Sequence, residues 1–284
     1  MLNACCRPRL APLFKVSVML SSLLRDRDEP LGNDDSPHLS HSRVNRYLTC
    51  PEQYRLYYLE KLRPKVPPAV LVFGQIVHQA LAELFQKKAD PVKCFEESWG
   101  MLKGVKLDFN YRDSWDRLQI TGQKLLTRFV SDELPKIDEI TAVERPFKLT
   151  ITGLDLPFVG IIDLVGRLKG MRTVVDWKTA GSAPDGHEAA MSDQLSAYKL
   201  AEPMVEQLAL CVLVKTKEPQ IEWHCVNRNG NHLSEYLSKV GYVAREIAAR
   251  RFYKRSGMWC AWCDYLPICL GDTRKAKETL VSVS

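Results

Sequence analysis

Two aspartates and a lysine stand in apolar segments with a spacing that could support hydrolytic chemistry. Asp163 ends the run Gly160-Ile161-Ile162, and Asp176 and Lys178 close the apolar run that begins at Val174. An ionised carboxylate in apolar strand sequence is costly unless it is paired or bound to a metal. Residues i and i+2 of a strand share a face, so Asp176 and Lys178 point the same way, and a turn at Lys169-Gly170 would bring Asp163 beside them. This group predicts a divalent-metal site able to hydrolyse a phosphodiester.

Four other polar residues could belong to the same site. Glu144, in the first of three predicted strands, could supply a further oxygen ligand. Gln194 and Tyr198 are i and i+4 on a predicted helix, so they share a face that could contact a strand end, although a capped surface helix is the alternative. His78 lies off the apolar stripe of its predicted helix, where a structural role is the commoner one. The aspartate and lysine spacing alone also fits a buried ion pair or a solvated strand end.

The elements that must position these residues are helices and strands in alternation. Helical periodicity covers about 40–62, 73–84, 91–102, 114–134, 188–202 and 231–252, and strand patterns cover 141–151, 157–168, 172–177, 207–215 and 220–226. Gly153 and Gly170 mark the turns of a three-strand meander. The order predicts an α/β or α+β core.

Four of the nine cysteines have the spacing of ligands. Cys260, Cys263 and Cys269 form a C-x2-C-x5-C pattern, and Cys50 is the natural fourth member although it lies far upstream. By spacing alone, four thiolates could hold zinc or a 4Fe-4S cluster. The remaining cysteines predict small core residues or belong to the N-terminal tail: Cys94, Cys211 and Cys225 in helix or strand patterns, and Cys5 and Cys6 in the tail.

The net charge of +6 is concentrated near the two ends of the folded part. Residues 38–65 carry +4 and residues 239–284 carry +5, whereas 66–238 carry −3. Basic side chains interleaved with aromatic ones suit a single-stranded nucleic acid, although a solvated helix end is the usual alternative. The predicted DNA contacts are Arg43, Arg46, Arg251 and Lys254.

Taken together, the motifs resemble the RecB/AddB-like branch of the PD-(D/E)XK nuclease superfamily. Five ordered motifs between about residues 40 and 270 carry the resemblance: 42–51 (SRVNRYLTCP), 74–78 (GQIVH), 160–163 (GIID), 176–179 (DWKT) and 194–198 (QLSAY). The resemblance implies a restriction-endonuclease-like core, with a central mixed sheet flanked by helices, an N-terminal helical segment and a Cys-rich C-terminal segment.

The resemblance also implies roles for the candidate residues. His78, Asp163 and Asp176 would bind Mg2+ or Mn2+, and Lys178 would activate or position the attacking water. Glu144 would be an acidic partner, while Gln194 and Tyr198 would support the site or contact the substrate backbone.

For the cysteines, the resemblance favours a 4Fe-4S cluster over structural zinc. One cysteine before the core and three after it are similar to the iron-sulfur form of AddB and of CRISPR-associated RecB-like nucleases. In those proteins the cluster joins the two ends of the domain.

The implied activity is metal-dependent hydrolysis of DNA by an exonuclease on single strands or DNA ends, in recombination, repair, phage or CRISPR settings. A helicase or recombination protein would be a partner. The chain has no P-loop, so it is not expected to be an ATP-driven helicase-nuclease by itself. The alternatives are a non-catalytic DNA-binding module with a structural metal site and a structure-specific endonuclease.

Composition sets the remaining expectations. The chain has 284 residues, of which 45% are hydrophobic and 26% charged, which excludes wholesale disorder and collagen-like repeats. No window is apolar enough to predict a membrane span. Residues 1–37 are predicted to be a poorly ordered extension and 38–284 a single nuclease domain whose ends a cluster joins. A cytoplasmic location is predicted, since free cysteines suit a reducing compartment, and a mitochondrial transit peptide is the weaker alternative.

Overall fold

The computed structural model describes residues 36–283, so the predicted N-terminal extension lies almost wholly outside the described residues, as do Cys5 and Cys6. The described strands are β1 (Leu62–Pro64), β2 (Ile137–Leu149), β3 (Phe158–Leu168), β4 (Met171–Ala180), β5 (Gln207–Val214), β6 (Gln220–Val226) and β7 (Leu280–Ser282). Five of them form one sheet in the order β2-β3-β4-β5-β6. Strands β4 and β5 are parallel and the other neighbours are antiparallel, which confirms the predicted mixed sheet.

Helices flank this sheet, and several of them begin at a side-chain cap. The described α-helices are α1 (His41–Thr49), α2 (Pro51–Tyr54), α3 (Ala69–Lys87), α4 (Pro91–Gly100), α5 (Trp115–Arg128), α6 (Glu188–Met191), α7 (Asp193–Ala201), α8 (Gly230–Ala248), α9 (Leu266–Cys269) and α10 (Thr273–Thr279). Side chains of Ser40, Ser114, Ser192 and Asn229 accept hydrogen bonds from backbone N–H groups in the first turns of α1, α5, α7 and α8. Such caps satisfy amides that have no partner inside the helix.

Apolar side chains pack against both faces of the sheet. On one face, α3, α4 and α5 enclose Trp177 of β4, whose ring stacks on Phe85 at 5.9 Å between centroids. On the other face, Leu195 and Tyr198 of α7 pack against alternate residues of β5. The sheet is therefore covered on both sides, and its strand ends are the places where polar groups can gather.

The N-terminal and C-terminal segments meet through direct protein contacts. Strands β1 and β7 pair antiparallel, and the Tyr265 hydroxyl donates to the Leu62 carbonyl at 2.8 Å. The Tyr47 hydroxyl donates to the Arg251 carbonyl at 2.7 Å. These contacts bring the two basic segments together without any bound group.

Two of the differences between the predicted and the observed helices have clear local causes. The helix predicted over 188–202 is divided at Ser192, whose extended backbone ends α6 and whose side chain caps α7. The helix predicted to reach about residue 252 ends at Ala248, because Arg250 adopts a left-handed backbone with φ of 54°. This is a common way for a helix to stop.

Helix α3 passes the length and hydropathy test for a membrane span, and within residues 36–283 it is the one helix that does. A buried core helix passes the same test. Phe73, Ile76, Val77 and Leu81 of α3 are all buried in the core beneath the sheet.

Candidate active site

The two aspartates lie where strands β3 and β4 separate. Their antiparallel ladder ends at the pair Leu164–Val175, and Asp163 and Asp176 are the next residues on the two strands. The N–H of Trp177, which no longer serves the β3–β4 ladder, donates to Asp163 Oδ2 at 2.8 Å. The end of the ladder therefore presents two carboxylates to one gap in the sheet.

Both carboxylates are almost fully buried, with 2% of Asp163 and 1% of Asp176 exposed. Burial raises the pKa of Asp176, and the negative charge of Asp163 raises it further, while Lys178 and His78 act in the opposite direction. Two ionised carboxylates side by side repel each other and lose hydration. The pair therefore fits a divalent cation, which would offset both effects.

A hydrogen-bonded network connects Lys178 to Asp176 through helix α7. The Lys178 ammonium lies 2.9 Å from Asp176 Oδ2 and donates to Gln194 Oε1 at 2.7 Å. Gln194 Nε2 donates to the Tyr198 hydroxyl at 2.7 Å, and that hydroxyl lies 3.3 Å from Asp176 Oδ1. Since 42% of the Lys178 side chain is exposed, its charge also faces solvent, from which a substrate would arrive.

Histidine 78 approaches the same carboxylates from helix α3. Its Nδ1 lies 3.7 Å from Asp163 Oδ2. One turn earlier on the helix, a Cβ on Gly74 would lie 2.9 Å from the Thr179 hydroxyl, so a larger residue would force Thr179 to shift, and glycine allows this close approach of α3 to the end of β4.

Glutamate 144 lies on the neighbouring strand β2 at the level of Asp163. The register pairs Val143 with Leu164 and Arg145 with Ile162, so Glu144 stands opposite Asp163. Its φ of 48° is in the left-handed region, which a glutamate rarely occupies. Strain of this kind clusters at functional sites, which is consistent with the predicted acidic partner.

Within residues 36–283, no set of three or more His, Cys, Asp or Glu side chains is arranged to hold a metal ion. The structure brings together His78, Asp163, Asp176, Lys178, Gln194 and Tyr198, with Glu144 on the adjacent strand. Their roles in metal binding and catalysis remain predictions.

The sequence from residue 38 to residue 270 matches the family model of the PD-(D/E)XK nuclease superfamily. The chain belongs to this superfamily. Nucleases of the superfamily generally use Mg2+ or Mn2+, in agreement with the chemistry of the aspartate pair.

Among solved structures, the fold of this nuclease is similar to that of a "Putative exonuclease" from Eubacterium rectale, with a TM-score of 0.55 and 15% identity over 87% of this chain and 94% of the other. The structure of SSO0001 gives a TM-score of 0.44 and 13% identity over 91% and 97% of the two chains. No curated protein matches the sequence.

The four predicted ligand cysteines of this nuclease lie in one region. Cys50 Sγ is 3.5 Å from the backbone nitrogen of Arg255, in the segment that leads to the other three. Burial raises the pKa of the Cys269 thiol, and negative charge on Cys50 and Cys260 would raise it further. Burial also raises the pKa of Cys263, with Cys269 and Cys50 adding to the rise. Tertiary structure therefore brings the four thiols within electrostatic reach of one another.

The predicted DNA-binding residues of this nuclease lie around the same region, and each also has a contact within the protein. The guanidinium of Arg43 lies 4.3 Å from the ring centre of Tyr58, and that of Arg46 lies 3.6 Å from the ring centre of Tyr57. Two further contacts involve exposed side chains: Arg251 pairs with Glu246 at 2.8 Å, and Lys254 donates to the Cys269 carbonyl at 2.9 Å.

One residue that holds the site in place has no signal in the sequence. Arg228 is buried, and its guanidinium donates to Ser196 Oγ and to the carbonyls of Ala189 and Ser192 at 2.9–3.0 Å. These bonds hold the turn between α6 and α7, and hence the helix that carries Gln194. An arginine just after a strand looks like an ordinary surface residue until the distant turn that it binds is known.

We expect Asp176→Asn to raise the melting temperature of the metal-free nuclease. Each kcal/mol gained in the free energy of unfolding corresponds to a rise of roughly 2–4 °C. The raised folded-state pKa means that the folded protein binds more protons than the unfolded one. As pH rises from the unfolded-state pKa of Asp176 through its higher folded-state pKa, ionisation of this buried carboxylate therefore lowers the free energy of unfolding. The neutral amide of asparagine removes this effect at neutral pH. Thermal melts in EDTA measure it.

The exposed Asp155 offers a matched control, because Asp155→Asn removes the same charge without relieving a buried one. If the melting temperature of Asp176→Asn in EDTA is at or below the wild-type value, the buried Asp176 carboxylate does not destabilise the metal-free protein, and the prediction is wrong. Adding Mg2+ should raise the melting temperature of the wild type more than that of Asp176→Asn.

Proposed function

We propose that this protein is a metal-dependent deoxyribonuclease of the RecB/AddB-like branch, acting as an exonuclease on single-stranded DNA or DNA ends. The observation that carries the proposal is the network of Asp176, Lys178, Gln194 and Tyr198 beside Asp163 and His78. The similar fold of the "Putative exonuclease" from Eubacterium rectale also supports it.

In the proposed reaction, water forms a new bond to phosphorus, one P–O ester bond breaks, and the leaving oxygen takes a proton. Asp163, Asp176 and His78 would hold Mg2+ or Mn2+, which when bound would supply a Lewis acid and lower the pKa of the attacking water. The Lys178 ammonium orients that water or stabilises the charge that develops on the phosphate. Gln194 and Tyr198 hold Lys178 and Asp176 in position, since their hydrogen bonds connect the two side chains. Glu144 on β2 would be an additional acidic side chain of the site, beside the two aspartates.

We also propose that Cys50, Cys260, Cys263 and Cys269 bind a 4Fe-4S cluster, with structural zinc as the alternative. Support comes from the half-buried positions of all four thiols and from the contact of Cys50 with the distant C-terminal segment. The cluster would join two segments that already touch, so its role is to stabilise the C-terminal segment rather than to take part in hydrolysis.

We propose a DNA-binding surface formed by the basic residues around this region, which include Arg43, Arg46, Arg251 and Lys254. The contacts between Tyr47 and Arg251 make the two basic segments neighbours. Tyr253, with 58% of its surface exposed, lies among the basic residues and could stack on a base. Residues 38–284 would act as one domain in the cytoplasm, in recombination, repair, phage or CRISPR settings, with a helicase or recombination protein as partner.

The exonuclease proposal predicts that linear DNA is degraded while covalently closed circular DNA of the same sequence is not. End-labelled single-stranded and duplex oligonucleotides, with Mg2+ or Mn2+, should release short labelled products from one end. An exonuclease needs a terminus, which the circle lacks. Cleavage of the circle at a comparable rate would show an endonuclease instead, and binding without cleavage of either substrate would show a non-catalytic module.

A further inference from the structure

Lysine 215 lies at the end of the sheet where β4, the strand that carries Asp176 and Lys178, also ends. Strands β4 and β5 are parallel, with Lys178 opposite Val212 and Ala180 opposite Val214. The backbone nitrogen of Lys215, the first residue after β5, donates to the Ala180 carbonyl at 2.7 Å. In open α/β sheets, ligands bind outside the carboxyl ends of the parallel strands. Lys215 lies at such an end. Its side chain is on the α3 side of the sheet, where Leu213 packs, whereas Lys178 lies level with Val212 on the α7 side.

The side chain of Lys215 reaches toward helix α3. Its ammonium lies 5.3 Å from the centre of the Phe73 ring. Phe73 precedes Gly74, the glycine that lets α3 approach Thr179 at the end of β4. The same helix carries His78 to the aspartate pair. Lys215 and His78 therefore lie beside one helix that borders the active site.

The charge of Lys215 is only partly compensated. Its side chain is half-buried, yet among residues 36–283 no carboxylate oxygen lies within 4.0 Å of its ammonium. Lys136, Lys178 and Lys239 each have such a partner, at 2.5, 2.9 and 2.8 Å. Burial lowers the pKa of Lys215, and Asp113 opposes that effect from farther away. A half-buried ammonium without a counter-ion is unfavourable for folding, so it suits a position that an anion fills during function.

We propose that Lys215 binds a backbone phosphate of the nucleic acid substrate near the scissile one, and so guides the strand across the ends of β4 and β5. The proposal rests on the proposed nuclease function. Phosphate contacts of this kind set the position of the chain without reading its sequence. Lys215 is thus a positioning residue for the substrate, distinct from Lys178, which lies beside the aspartates.

The test compares Lys215→Met with Lys217→Met, because Lys217 is an exposed lysine on the same turn. Binding of a fluorescent single-stranded oligonucleotide is measured by anisotropy at several salt concentrations, with Ca2+ in place of Mg2+ to suppress cleavage. We expect Lys215→Met to weaken binding about 5–10-fold and to reduce the slope of log K against log salt by about 0.7, one phosphate contact on a single strand. Lys215→Arg should keep the wild-type slope.

Two further measurements separate substrate positioning from a structural role. In nuclease assays Lys215→Met should raise KM with kcat within about 2-fold, because the contact is made equally in the ground and transition states. Its melting temperature should equal or exceed that of the wild type, since an uncompensated half-buried charge is removed.

Equal binding and equal salt slopes for Lys215→Met and Lys217→Met would overturn the proposal. A lowered melting temperature that accounts for the loss of binding, with no rescue by Lys215→Arg, would overturn it as well. If the wild type binds DNA but cleaves none, the nuclease proposal fails, and the comparison of salt slopes still decides whether Lys215 contacts phosphate.

Discussion

Replacing Asp176 by alanine is expected to lower the rate of DNA hydrolysis at least about 10³-fold, equivalent to about 4 kcal/mol of lost transition-state stabilisation. The carboxylate lies beside Asp163 at the end of the β3–β4 ladder and contacts both Lys178 and Tyr198. Its removal takes away a proposed metal ligand and the anion that holds the lysine. Single-turnover cleavage of an end-labelled oligonucleotide measures the change.

Lys178→Ala should lower the same rate about 10²–10⁴-fold, because the ammonium acts on the reacting water or phosphate. It should leave Mg2+ binding nearly intact, whereas Asp176→Ala should abolish it, and isothermal titration with Mg2+ distinguishes the two. Asp155→Ala serves as the matched control, since Asp155 is exposed and makes none of the contacts of the network.

Both inactive variants should remain folded and should still bind DNA in Ca2+. Equal cleavage by the wild type and the two variants would contradict the catalytic assignment, because a contaminating nuclease would then account for the activity. Loss of folding in Asp176→Ala would shift the decision to Asp176→Asn, which keeps the shape of the side chain and is expected to be equally inactive.

Replacing Cys50 by serine is expected to remove the iron-sulfur absorbance from protein purified without oxygen and to lower the melting temperature by roughly 5–10 °C. A bound group that closes a loop of about 200 residues stabilises by several kcal/mol on chain-entropy grounds, and each kcal/mol is worth about 2–4 °C in a domain of this size. Absorbance spectra with iron, sulfide and zinc analysis measure the first effect, and thermal melts measure the second.

In addition to this global effect, the C-terminal segment should open locally. The β1–β7 pairing and the Tyr47–Arg251 hydrogen bond do not depend on the cysteines, so they should keep the two ends in contact. Limited proteolysis of Cys50→Ser should therefore cut near residues 249–272 before it cuts the sheet. Nuclease activity should fall less than in Asp176→Ala.

Cys94 provides the matched control, because it is a half-buried cysteine on helix α4, apart from the four proposed ligands. Cys94→Ser should keep its metal and its colour. Bound zinc without iron in the wild type would support the zinc alternative, and a wild type with neither metal would contradict the proposed site.

Much of the fold could be predicted because the relevant signals are local. Alternation with period two placed Asp176 and Lys178 on one face of a strand, and helical spacing placed Gln194 and Tyr198 on one face of a helix. The structure agrees with both placements and joins the four side chains in one network. Helix ends were less predictable, since Arg250 stops α8 by adopting a left-handed backbone that its residue type does not favour.

The sequence by itself therefore determined the five strands of the central sheet, most of the longer helices, the polar residues on each face and the family to which the chain belongs. Periodicity and motifs reveal these features because they need only neighbours in the chain. Tertiary structure alone decided which of those residues meet. It placed Glu144 opposite Asp163, tied α7 in place through Arg228, joined β1 to β7 and left the Lys215 ammonium half-buried near α3. Sheet register, burial and the partners of a charge depend on segments far apart in sequence, and no local pattern encodes them.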